Sequence, residues 1–126
     1  MEVLDPGHRY RLQTLDEQPV SSLLLFELQF VKRIGEGYPG NKGIPEEGTI
    51  LQDVLRCCID RVKYLDNQKP HQSNLRLLEY LRWSIKELEL RAAKMHGIDI
   101  YVSAEDIELL PTLDNGHLDW SLLTQK

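Results

Sequence analysis

The stretch NLRLLEYLRWSIKELELRAAKMHG, residues 74–97, decides the fold. Leu78, Leu81, Ile85, Leu88, Ala92 and Met95 recur at alternating three- and four-residue steps, which is the apolar stripe of an amphipathic helix. Gly97 stands where a C′ glycine ends a helix, and Lys94 and His96 place positive charge at the negative end of its dipole. A second apolar set, Leu77, Tyr80, Trp83 and Leu90, lies off the stripe. A helix with one core face and a further Trp and Tyr predicts a subunit interface, or else packing beneath a small sheet.

Upstream, GTILQDVLRCCIDRVKYLDNQ (48–68) carries the same periodicity, with Leu51, Leu55, Cys58, Val62 and Leu65 on one stripe. Thr49 and Gln52 form a capping-box pattern. DNQKPHQS (66–73), punctuated by Pro70, separates the two helices, and so short a linker predicts an antiparallel pair. Cys57 and Cys58 are neighbours whose side chains diverge by ~100° on a helix, which excludes a disulfide between them. They read as two small buried apolar residues, reduced as in the cytosol.

Ahead of the helices, HRYRLQTLD (8–16) and LLLFELQFVKR (23–33) carry strand signals. In the second, Leu24, Phe26, Leu28 and Phe30 alternate with Leu25, Glu27, Gln29 and Val31, which fits a half-buried antiparallel strand. DEQPVSS (16–22) connects the two, with Pro19 marking the turn. The fold class is therefore α+β: a small antiparallel β-sheet followed by two long antiparallel amphipathic helices. Two strands are marginal in water, so they must pack on helices or be completed by another chain.

The 126 residues suit one domain. Residues 1–97 are expected to form it, with 98–126 as an acidic C-terminal appendage that docks on the body or on a partner. Residues 1–97 hold 14 acids and 14 bases, eight of them Arg. Asp99, Glu105, Asp106, Glu108, Asp114 and Asp119 against Lys126 supply the net charge of −5. A neutral body argues against a DNA or RNA polymer as partner, but not against a small anionic ligand. No run of ~18 apolar residues is present, so no membrane partner is expected. MEVLDPGHRY has no signal-peptide build, and a soluble intracellular protein is the expectation.

The residues carry little catalytic signal. His8, His71, His96 and His117 lie outside metal-ligand spacing of each other and of the cysteines. No nucleophile elbow, P-loop or zinc motif occurs. The loop FVKRIGEGYPGNKG (30–43) contains G-x-G-x-x-G, but Pro39 and NKGIP follow where a dinucleotide-binding fold needs a helix. No enzyme activity, metal or cofactor is therefore expected. The loop does hold the parts for binding a nucleotide. Phe30 or Tyr38 can stack on a base, glycine N–H groups can approach phosphates, and Arg33 and Lys32 bring charge. Asn41 can both donate and accept, and the N-terminus of the first helix favours anions. On that helix Arg56 and Arg61 lie about 140° apart and serve two surfaces. On residues alone the loop reads equally as a plain connection, with Arg56 and Arg61 pairing with Asp53 and Asp60.

LDPGHRYRLQTLD, FVKRIGEGYPGN, ILQDVLRCCIDRVKYLDNQ and NLRLLEYLRWSIKELELRAAKMHG, in that order, resemble the first type of Thoeris anti-defence protein over roughly residues 3–97. YPGN (38–41) and DRVKYLDNQ (60–68) are the most specific blocks. The resemblance implies a phage or prophage sponge in the host bacterial cytoplasm. Such a sponge binds a TIR-derived glycocyclic ADP-ribose signal without degrading it, and in some members CBASS cyclic di- or trinucleotides. It implies a homo-oligomer, dimer or hexamer. It also implies a pocket of an aromatic residue, a loop asparagine and arginines. Phe30 and Asn41 match best, with Arg33, Tyr38, Arg56 and Arg61 as companions. The alternatives are a protein-binding inhibitor of an immune effector, acting through Tyr80, Trp83 or the acidic tail, and an unrecognised nucleotide hydrolase.

Overall fold

The computed structural model describes residues 1–13, 26–35, 43–95, 97, 111–113 and 117–119. The chain is α+β, with a three-stranded antiparallel sheet followed by two helices. It divides into two compact units, Met1–Leu51 and Gln52–Lys126.

The N-terminal unit begins with β1 (Glu2–Asp5) and β2 (Arg9–Arg11). Asp5-Pro6-Gly7-His8 joins them. Proline presets the first central residue, Gly7 takes a φ of 80°, and the His8 amide donates to the Asp5 carbonyl at 2.9 Å. That is a type II turn, whose second central position favours glycine. β2 pairs antiparallel with β3 (Glu27–Gln29), giving the order β1-β2-β3. The register aligns Val3, Tyr10 and Leu28 in one row and Glu2, Arg11 and Glu27 in the next. The sheet is thus apolar on one face and charged on the other, as alternation requires. Arg11 Nη1 donates to Glu2 Oε2 at 2.9 Å on the charged face.

The expected strand over 23–33 is interrupted. Phe30, just past β3, keeps its amide on the His8 carbonyl at 2.6 Å and bridges Thr49 in parallel along its other edge. The chain then resumes as β4 (Lys32–Ile34), paired antiparallel with β5 (Gly43–Glu46). On the edge away from β2, Thr49 engages the backbone groups flanking Phe30. Its amide donates to the Gln29 carbonyl at 2.9 Å, and its carbonyl accepts from Val31 at 3.0 Å. Helix α1 accordingly starts at Leu51 rather than beside Thr49, whose backbone is engaged in this bridge. Among the described residues of this unit whose side chains are placed, none is fully buried.

In the second unit α1 (Leu51–Gln68) and α2 (Gln72–Met95) pack through Ile59, Leu78 and Ile85, flanked by Leu55, Val62 and Leu81. They run antiparallel, because contacts join Asp66 to Asn74 near the turn and Arg56 to Glu89 far from it. Burying an Ile or Leu side chain stabilises by about 1.5–3 kcal/mol, so these few residues dominate the pair. Two expectations are corrected. Cys57 and Cys58 are exposed free thiols, not core residues. Ile59, with the larger apolar volume, takes the central place on α1 through the equally periodic set Leu55, Ile59 and Val62. Leu51 and Leu65 are left exposed. Toward the end of α2, Ala93 is buried while Met95 is exposed.

The interhelical turn is built by side chains. Asp66 Oδ1 accepts from the His71 amide at 3.0 Å and from Asn74 Nδ2 at 3.2 Å. His71 Nδ1 accepts the Ser73 amide at 3.1 Å, so an imidazole fills the N-cap role and starts α2 two residues before Asn74. At the other end Gly97, with φ 81°, donates to the Lys94 carbonyl at 3.1 Å, which is the expected C′ geometry.

Candidate functional site

Phe30 lies between β3 and β4, half-buried. Its ring meets Tyr10 edge-on, with centroids 6.1 Å apart and planes at 83°. Both residues lie on the apolar face of the sheet, and an edge-to-face pair of this kind contributes about 0.5–1.5 kcal/mol beyond burial. The backbone beneath the ring is closely packed. A Cβ on Gly48 would lie 2.6 Å from the Gln29 oxygen and from the Phe30 carbonyl carbon, a separation only glycine permits. Gln29 Nε2 also donates to the Glu47 carbonyl at 2.7 Å, closing the segment onto β3.

Arg33 lies on β4, exposed, three residues from Phe30. Its neighbour Lys32 points to the other side and pairs with Asp5 at 3.2 Å. Such a half-exposed pair contributes no more than about 1 kcal/mol. Among its described residues the N-terminal unit holds the aromatic rings of Tyr10, Phe26 and Phe30, and its exposed arginines are Arg9 on β2 and Arg33 on β4. Tyr38 and Asn41 lie outside the described residues.

Arg56 and Arg61 belong to the helical unit and are committed differently. Arg61 is exposed and lies 5.3 Å from the centroid of the Tyr64 ring, a cation–π contact along one helix face. Arg56 is largely buried. Its Nη1 is 3.5 Å from Asp53 Oδ1, and its Nη2 is 3.4 Å from Glu89 Oε1 and 2.9 Å from His117 Nδ1. Its Nε is buried without a hydrogen-bond partner among the described residues. Glu89 in turn pairs with His117 and accepts the Leu118 amide at 2.8 Å. Around Arg56 two carboxylates offset one guanidinium, which weakens any pull on an added phosphate. The arrangement instead fastens residues 117–118 to the two helices. Of the alternative pairings with Asp53 and Asp60, the Arg56–Asp53 ion pair is present.

The Glu89–His117–Arg56 cluster had no signature in the sequence, since the three are separated by 28 and 33 positions and match no motif spacing. A carboxylate orienting an imidazole is part of a nucleophilic arrangement, but the third member here is a guanidinium, which attacks nothing. Among the described residues no group of three or more His, Cys, Asp or Glu is placed to hold a metal ion. Among them, too, no helix is long and apolar enough to cross a membrane. No protein-family model, curated protein or solved structure matches the chain.

Proposed function

We propose that this protein is a phage anti-defence sponge. It captures a TIR-derived glycocyclic ADP-ribose signal in the host bacterial cytoplasm and holds it without chemical change, as a homo-oligomer, dimer or hexamer. CBASS cyclic di- or trinucleotides are further candidate ligands. The observation that carries the reading is the ordered succession of sequence blocks at 4–16, 30–41, 50–68 and 74–97. Phe30 offers a ring suited to a base, and Arg33, exposed on β4, a cation suited to a phosphate. Asn41 and Tyr38 complete the proposed pocket. Arg56 and Arg61 are the candidate ligand residues on α1, and Arg56 is held by Glu89 and His117.

The test separates capture from turnover. Purified protein is mixed with the signal and removed by filtration, and the retained fraction is heated. Intact signal appearing only after heating supports the reading. A converted product indicates an enzyme, and signal left free at micromolar protein ends the proposal.

A second reading, direct inhibition of a protein effector, has one observation in its favour. Leu75, Leu77 and Tyr80 are exposed on α2. Trp83, expected beside them, is half-buried and contributes less to that surface.

A further inference from the structure

His8 closes the turn between β1 and β2, and the backbone sets it directly opposite Phe30. The register pairs Tyr10 with Leu28 and Arg9 with Gln29, and one step further the Phe30 amide donates to the His8 carbonyl at 2.6 Å. Residues directly opposite in an antiparallel ladder project from the same face, with Cβ atoms about 5 Å apart. His8 is thus the neighbour of Phe30 on the face that also carries Tyr10. Its tautomer follows from what surrounds Nδ1. The Pro6 carbonyl is 3.1 Å from that nitrogen and Asp5 Oδ2 is 3.9 Å from it, and both can only accept, so Nδ1 carries the proton. In the neutral ring Nε2 then holds a lone pair, and it has no hydrogen-bond partner among the described residues. The side chain is 32% exposed.

We propose that His8 reads the edge of a base stacked on Phe30 and selects one that carries an exocyclic amine, adenine rather than hypoxanthine. The inference rests on the sponge reading and adds a specificity-determining residue to it. A stacking ring is indifferent to the identity of the base, because every base has a π-face, so selection has to come from the edge. The Nε2 lone pair accepts a hydrogen bond from an amine and repels a keto oxygen. It repels a phosphate oxygen for the same reason, and the Asp5 carboxylate behind Nδ1 acts in the same direction. Lys32 holds that carboxylate in place, with Nζ 3.2 Å from Asp5 Oδ2. His8 is therefore fixed at Nδ1 and open at Nε2, beside the ring on which the base rests.

Calorimetric titration with ADP-ribose and with its hypoxanthine analogue, IDP-ribose, tests it. The parent is expected to bind ADP-ribose about tenfold more tightly, the effect of one hydrogen bond. His8→Ala lowers the ADP-ribose affinity, leaves the IDP-ribose affinity near that of the parent, and so loses the preference. His8→Gln, whose amide oxygen accepts, keeps part of it. In the parent the His8 Nε2 nitrogen resonance moves on adding ADP-ribose and stays near its place on adding IDP-ribose, which a residue serving only the turn would not show. Unchanged circular dichroism and slow exchange of the Phe30 amide report that each variant is folded. A preference that survives His8→Ala overturns the proposal, and so does a parent that binds the two probes equally. Retention of the cyclic signal, measured in parallel, keeps the readings apart. A parent that retains it without the preference loses the role of His8 and keeps the sponge, whereas a parent that retains no nucleotide loses both.

Discussion

The Glu89 carboxylate accepts the Leu118 amide at 2.8 Å, and Leu118 itself is 1% exposed. One residue of the C-terminal segment is therefore both hydrogen-bonded to α2 and buried in the helical unit. The segment turns on itself through the Thr112–Leu118 bridge, with Leu113 donating to His117 at 2.7 Å and Asp119 to Pro111 at 2.8 Å. Leu118→Ala should lose about 2–5 kcal/mol, as a buried large-to-small change does. Glu89→Gln keeps the shape but weakens the charge-assisted bonds, and should lose about 1–3 kcal/mol. Urea denaturation followed by circular dichroism measures both, and parent-like midpoints would show that the segment is not held in this way.

Gly48→Ala drives a methyl group into the Gln29 and Phe30 backbone. No rotamer relieves a clash between backbone and Cβ, so the 47–49 segment must separate from β3. The expected loss is about 1–3 kcal/mol or more. Hydrogen exchange of the Thr49 and Val31 amides should rise well above the parent, while the amides of α2 stay protected.

His71 caps α2 through Nδ1. His71→Ala should cost about 0.5–2 kcal/mol, and His71→Asn should restore most of it, because asparagine presents an acceptor at the same position. Thermal melts of the three proteins decide this. An Asn variant no better than Ala would mean that the imidazole contributes packing rather than a cap.

For the proposed sponge, Phe30→Ala should lose about 1–3 kcal/mol of signal binding, roughly five- to a hundred-and-fifty-fold in dissociation constant. Arg33→Ala should weaken binding less, since its charge is solvated. Ile85→Ala, at a site with 0% exposure, should instead lose about 2–5 kcal/mol of stability. Calorimetric titration beside denaturation separates the two kinds of outcome. Equal binding by Phe30→Ala and the parent would place the pocket elsewhere.

How much was legible in the sequence follows from how local each cause is. Helix α2 was readable because its stripe and C′ glycine are encoded within 24 residues, and the antiparallel pair followed from the short linker. On α1 the expected stripe holds at Leu55 and Val62 but not at Leu51, Cys58 and Leu65, because Ile59, one position from Cys58, competes for the same face. Only packing against α2 chooses between them. β1 was passed over although Asp5-Pro6-Gly7-His8 is a turn signal, since a four-residue strand shows too little alternation to register. β5 hid among loop residues. In the candidate site Phe30 was found by its place at a strand end. Gly48, Glu89 and His117 matter through partners 18 to 29 positions away, which no local pattern announces.

The backbone around Phe30 is tied at both edges, its amide to His8 at 2.6 Å on one side and its neighbours Gln29 and Val31 to Thr49 on the other. A ring mounted on such a spar keeps its position whether or not anything rests on it. A planar ligand stacking there would find the surface ready and surrender little motional freedom of the protein on arrival. Variants that loosen the tie without touching the ring, Gly48→Ala among them, should then make capture entropically costlier while leaving its enthalpy nearly unchanged.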